Sequence, residues 1–290
     1  AELDGHKIDY VTINDFKKND QITEAVIGEG IEYIASSIFT GCKNLKKVTL
    51  PSTLESISCD AFLNCISLTD INIPDSLIYV EPDLFSGCTA LKEIKLPETW
   101  SEVNMRLFKG CTSLETITIP SKVRSIASSA FEGCTSLKNV YLSDGLKEIK
   151  REAFKDCTSL KQITVPSTVE EIGNNAFEGC SSLTDITLCT GLKNIYQYAF
   201  KDCTSLQEIK IPSTVKVIDN YIFDGCTNLE KITLTEGVLG IGYSSFKNLT
   251  SLKSFTVPVS LDFEQKTIYP FDGCTGLTEV KFAKGRKVIP

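Results

Sequence analysis

The sequence predicts a repeat solenoid, β-rich with short helical turns, wound from about eleven to twelve coils over residues 22–283. Three observations predict it. Ten phenylalanines, from Phe39, Phe62 and Phe85 through Phe200, Phe223 and Phe246, follow one another by 23 residues without exception. Ten of the twelve cysteines, Cys42 through Cys226 and then Cys274, stand three residues after a phenylalanine of this series or after Phe271. A leucine stands three residues further on in every unit, from Leu45 to Leu277. A fixed period of this length means that each coil buries its apolar face against its neighbours.

The first element of each coil is a short strand. After the leucine come an apolar, mostly β-branched residue (Val48, Ile71, Ile94, Ile117, Ile163, Ile209) and, two residues later, another apolar one (Leu50, Ile73, Leu96, Ile119, Val165, Ile211). The spacing L-x-x-I-x-L ends in the two-residue alternation of a strand. Strands that recur at equal intervals along a coil pair in parallel with their counterparts, at roughly 4.8 Å.

The second element is a turn. Pro51, Pro74, Pro97, Pro120, Pro166, Pro212 and Pro258 stop the strand, because proline cannot donate to a ladder. In alternate later units Asp144-Gly145, Thr190-Gly191 and Glu236-Gly237 take over the turn. The loops alternate likewise, with Phe131-Glu132-Gly133-Cys134 and Phe177-Glu178-Gly179-Cys180 interleaved with Phe154-Lys155-Asp156-Cys157 and Phe200-Lys201-Asp202-Cys203, so a second period of 46 residues overlies the first.

The third element is a return arm. Val123 and Ile126, Leu146 and Ile149, Val169 and Ile172, Val215 and Ile218 lead into a single helical turn that carries Ala-Phe into the core. Both ends depart from the template. Residues 1–21 form an N-terminal cap, with a strand in the alternation Ile8-Asp9-Tyr10-Val11-Thr12-Ile13, and the first rung is Ile22, Ala25 and Ile27. Phe271 follows Phe246 by 25 residues, which places a two-residue bulge near Leu261–Lys266, and residues 284–290 are a C-terminal end or truncated cap. The chain begins at Ala1 without an apolar leader, as a mature chain freed of its signal would.

The unit resembles the BspA-like leucine-rich repeat, whose mark is the strand L-x-x-I-x-L-P followed by a return arm ending in A-F-x-x-C, and the resemblance covers residues 22–283. It implies a right-handed leucine-rich-repeat coil with a parallel sheet on its concave face. It also implies a secreted or surface-displayed protein, since relatives of this kind serve host-associated bacteria and some protozoan parasites in adhesion and in binding host proteins. No catalytic residues come with it.

Twelve cysteines invite a disulfide or metal reading, which the spacing resists. Leu249 replaces the cysteine in one unit, so the position asks for an apolar filler, and buried free thiols are expected. Parallel side chains on adjacent rungs are poorly placed for a disulfide torsion near 90°. Cysteines 23 residues apart with a single histidine lack the clustering of a zinc site, so neither metal nor cofactor is expected. Cys59 and Cys189 lie off the ladder and are the two expected to reach solvent.

No enzyme is expected. His6 lies in the cap with no partner implied by the repeat, pairs such as Glu170-Glu171 read as a solvated face, and no phosphate-cradling glycine motif follows a strand. A net charge of −7 without a clustered basic face argues against nucleic acid, and no apolar run reaches the 18 residues of a membrane span. Asn248-Leu249-Thr250 fits the glycosylation pattern but is a variant of the Asp-Cys-Thr loop. Trp100 takes a core position that elsewhere holds valine or leucine, and with Met105 could form a small apolar patch.

Strand residues between the core positions point to the concave side. Lys95, Thr116, Thr118, Asn139, Tyr141, Gln162, Thr164, Asp185, Thr187 and Lys210 are therefore the candidate ligand contacts, in rows that also hold Asp70, Asn72 and Glu93. The middle rungs offer a nearly uncharged stripe with one aromatic, Tyr141, which suits a protein or glycan partner at a cell surface or matrix. Threonine is also simply a good residue for an exposed strand. The reading is a monomeric, non-catalytic adhesion or recognition module; the alternative is a spacer that displays another domain of a larger surface protein.

Overall fold

The computed structural model describes residues 16–261 and 269–285. It is a β-solenoid of about eleven turns with parallel stacked strands. The front ladder comprises Glu24–Val26, Lys47–Thr49, Asp70–Ile71, Thr116–Thr118, Asn139–Tyr141, Gln162–Val165, Asp185–Leu188, Glu208–Ile211, Lys231–Leu234, Ser254–Val257 and Glu279–Phe282. The pairing Ala25↔Val48 bears out the first rung. The last pairing, Ser254↔Glu279, steps by 25 residues, as the shifted Phe271 requires.

Alternation explains why these segments are strands. Val48, Ile117, Val140, Ile163, Ile186, Ile209 and Ile232 point inward and are buried, while their neighbours face solvent. The 46-residue period appears in the hydrogen bonding. From Thr116 onward the front strands bond two by two: 116–118 with 139–141, 162–165 with 185–188, 208–211 with 231–234, and 254–257 with 279–282.

The return arm differs from the sequence expectation in two ways. The Val-x-x-Ile segment is a second parallel ladder, in which Ser56–Ile57, Ser125–Ile126, Glu148–Ile149, Glu171–Ile172 and their counterparts stack with the isoleucines inward. The expected helical turn is absent: the described residues contain no helix. In its place the backbone passes through two left-handed residues per coil. One, two residues before the phenylalanine, is Glu152 (φ 58°), Asn175 (φ 58°) or Tyr198 (φ 60°); the other, just before the cysteine, is Gly133 (φ 73°), Asp156 (φ 57°) or Asp202 (φ 58°).

These reversals turn alternate N–H groups toward the next coil. Glu152 donates to the Asn174 carbonyl at 2.9 Å, Phe154 to Ala176 at 2.8 Å and Asp156 to Glu178 at 2.7 Å. The same Phe-to-next-coil bond recurs from Phe39 to Phe246 without a gap. A helical turn would direct those donors back along its own coil, so the inter-coil bonds win.

The core is layered in the same register. Phenylalanine rings stack along the axis; Phe131 and Phe154 lie 5.3 Å apart at 5°, Phe154 and Phe177 5.4 Å apart at 8°. The ladder cysteines are free and buried except Cys274, which is half-buried. Each thiol donates to a phenylalanine carbonyl 26 or 28 residues earlier, as Cys157 does to Phe131 at 3.2 Å and Cys274 to Phe246 at 2.8 Å. Leu249 is buried in the same place. Burial pushes the thiols from Cys42 through Cys203 and that of Cys274 up, Cys65 to about 12, which disfavours the reactive thiolate.

Outside the phenylalanines, charge alternates by coil. Lys109 pairs with Glu132 at 2.9 Å, and Glu178 with Lys155 at 3.0 Å on one side and Lys201 at 3.1 Å on the other. A 23-residue repeat of one sign would stack like charges; the 46-residue period avoids this. The expected cap strand at residues 8–13, His6 and residues 262–266 of the bulge lie outside the described residues, as do 286–290 of the C-terminal end.

Candidate binding face

The front ladder places the sequence-predicted contacts on one face. Lys95, Thr118, Asn139, Tyr141, Gln162, Thr164, Asp185, Thr187 and Lys210 are exposed, and Thr116 is half-exposed. Register brings Thr116 beside Asn139 and Thr118 beside Tyr141, and the Asn139 amide donates to the Thr116 hydroxyl at 3.3 Å. Gln162 stands beside Asp185 and Thr164 beside Thr187. Lys210 pairs across with Thr233 in the next block. Tyr141 is 58 % exposed, a protruding ring rather than a packed one.

Lys95 is the exception in the ladder, because its coil has no front strand. The segment Glu93–Ile94–Lys95 lies between two bonded blocks, and among the described residues its N–H and C=O groups bond to no protein group. On the front of this coil a single backbone bond reaches the next coil, from the Glu115 N–H to the Lys92 carbonyl at 3.0 Å, while its second-ladder strand and turns are bonded as elsewhere. This coil also carries Trp100, whose ring is buried and whose Nε1 donates to the Leu77 carbonyl at 2.8 Å. The indole stands where the neighbouring coils hold Leu77 and Val123. The same burial removes the expected surface patch of Trp100 with Met105.

At the unbonded segment lies a groove of about 580 Å³ lined by residues that include Ile71, Glu93, Ile94, Lys95, Thr116 and Thr118. A smaller hollow of about 450 Å³ continues it past Lys92 and Glu115. Ile71 and Ile94 are only partly buried here, whereas the equivalent residues of other coils from Val48 to Phe255 are buried, so the apolar layer shows through the sheet at this point. Lys95, Thr116 and Thr118 of the expected contacts line the groove; Asn139, Tyr141, Gln162, Thr164, Asp185, Thr187 and Lys210 extend along the face beyond it.

Sequence reasoning placed Asp70 and Glu93 in the right rows but missed the apolar floor of Ile71 and Ile94 and the rim residue Glu98. Two signals bear on it. Pro97 and Pro120 close consecutive coils, so this coil stands outside the proline–glycine pairing, and Trp100 marks the same coil. Among the described residues no group of three or more His, Cys, Asp or Glu side chains is arranged to hold a metal ion, and no helix is long and apolar enough to cross a membrane.

Parallel coils of one short repeat, a leucine–phenylalanine core and an exposed strand face define a leucine-rich-repeat solenoid. The family model for the BspA type leucine rich repeat region (6 copies) matches residues 10–138, 101–221 and 193–290. The chain belongs to this family. A leucine-rich repeat protein from Eubacterium ventriosum shares the fold, with a TM-score of 0.55 and 21 % identity over 94 % of this chain and 76 % of that one. One from Bacteroides ovatus is 26 % identical over 90 % of this chain and 92 % of that one, with a TM-score of 0.48. A leucine rich cell surface protein from Faecalibacterium prausnitzii is 24 % identical over 91 % and 80 %, with a TM-score of 0.47. No curated protein matches the chain.

Proposed function

We propose that the chain is a non-catalytic recognition module, secreted or held at a cell surface, that binds a protein or glycan through its front face. One observation carries the reading: a row of exposed, in-register polar side chains from Thr116 to Lys210 runs into a groove where the apolar layer is accessible. Recognition surfaces combine an apolar centre with a polar rim in this way. The ladder thiols from Cys42 to Cys226 are buried and the ion pairs on the turns are internally matched, so neither supplies a competing site.

The test is binding to an array of matrix proteins, mucins and polysaccharides by the chain and by Thr118→Glu/Thr164→Glu/Thr187→Glu. Binding that the folded variant loses supports the front face. Binding that it retains in full contradicts it, and no binding by either favours the alternative, a spacer that displays another domain.

A further inference from the structure

The groove beside Trp100 has features that single out one class of occupant. Its floor is apolar, Ile71 and Ile94, and its wall is a length of backbone, Glu93–Lys95, with donors and acceptors that no protein group among the described residues satisfies. Its carboxylates, Asp70, Glu93, Glu98 and Glu115, outnumber its lysines, Lys92 and Lys95. Glu115 is engaged with Lys138 at 3.0 Å, but Asp70, Glu93 and Glu98 form no ion pair among the described residues.

We infer that this groove takes an extended peptide segment in which apolar residues alternate with lysine or arginine. The inference rests on the front-face reading and narrows it from protein or glycan to a strand-like basic peptide. An extended chain supplies an N–H and a C=O at strand spacing, which is what unpaired backbone at Glu93–Lys95 can accept and donate to. Its alternate side chains divide between the two sides of the sheet. The apolar set meets Ile71 and Ile94, and the basic set stands on the outer side in the row of Glu93, at the cross-strand distance where opposite charges attract. A glycan would match the carboxylates through its hydroxyls but would leave the apolar floor unfilled.

The experiment is fluorescence anisotropy with a labelled alternating Lys-Val hexapeptide. Its comparators are the Glu-Val counterpart and the Lys-Val peptide N-methylated at alternate amides. The chain is compared with Ile94→Glu, with the milder Ile94→Thr, with Glu93→Lys/Glu98→Lys, and with Asn194→Lys, which lies on the second ladder away from the groove. The expected result is saturable binding of the Lys-Val peptide, weakened at least about tenfold, or about 1.4 kcal/mol, by N-methylation, by the Glu-Val exchange and by each groove variant. Asn194→Lys should bind as the parent does, and circular dichroism confirms that each variant is folded. Equal binding of the N-methylated peptide, or full binding by folded Ile94→Thr and Glu93→Lys/Glu98→Lys, overturns the inference. So does the absence of peptide binding; if array binding is still lost in the triple glutamate variant, the front-face reading survives that failure.

Discussion

Replacing Phe154 by alanine probes the layer on which every coil depends. The ring is fully buried and stacks on Phe131 at 5.3 Å and on Phe177 at 5.4 Å. A buried aromatic side chain removes about 150–250 Å² from water, which at about 25 cal/mol per Å² is worth roughly 4 to 6 kcal/mol. Alanine keeps part of that burial, but the two rings on either side are fixed by their own coils, so the void does not close. The expected cost is about 3 to 5 kcal/mol. Urea unfolding followed by far-UV circular dichroism measures it. Because coils interact only with their neighbours, hydrogen exchange should show the loss concentrated in residues 131–177 and fading away from them. A change below about 1 kcal/mol, or one spread evenly over the chain, would refute the account of the stacked core.

Three further outcomes are expected. Thiol labelling of the native chain at mildly alkaline pH should modify Cys59 and Cys189 quickly and half-buried Cys274 more slowly, leaving the other cysteines unmodified until unfolding; fast labelling of most cysteines would contradict the ladder. Burial pushes the Glu178 carboxyl up, but hydrogen bonds from Lys155, Lys201 and Asn175 outweigh it and hold the group below its usual 4.5. Its stabilisation is therefore fully present above about pH 4.5 and is lost as pH falls through the lowered value, and Glu178→Gln should cost about 1 to 2 kcal/mol at pH 7 after discounting for partial exposure, with the difference from the parent shrinking in acid. A side chain on Gly191 would place its Cβ inside contact distance of the Ser167 carbonyl oxygen, so Gly191→Ala should destabilise by more than the ordinary exchange of about 1 kcal/mol, read by thermal unfolding.

How far the sequence could be read follows from which physics repeats. The front strands, the phenylalanine and cysteine layers and the 46-residue pairing were legible because each depends on a residue type returning to one place. The second ladder was not: Val169 and Ile172 are three apart, a spacing that suits a helix as well as it suits a two-residue strand preceded by a turn. The left-handed position before the cysteine did leave a signal, since glycine, aspartate and asparagine occupy it, as at Gly133, Asp156 and Asn64. The one before the phenylalanine left none. Ser129, Glu152 and Tyr198 share no local preference and are held there by bonds to the next coil. The groove was illegible for a related reason: an unbonded front segment is a property of its neighbours' pairing, and Trp100 marks its coil only once the pairing is known.

The central claim is that the front face recognises a partner while the second ladder and the turns are scaffold. The direct measurement is a comparison of charge substitutions on the two faces, using whichever protein or polysaccharide the array returns. Thr118→Glu/Thr164→Glu/Thr187→Glu changes the front; Ser125→Lys/Asn194→Lys changes the second ladder, where both residues face outward. The account predicts a loss of at least about tenfold, or about 1.4 kcal/mol, for the front set and an unchanged affinity for the second. An affinity that falls with the second set and survives the first would contradict it.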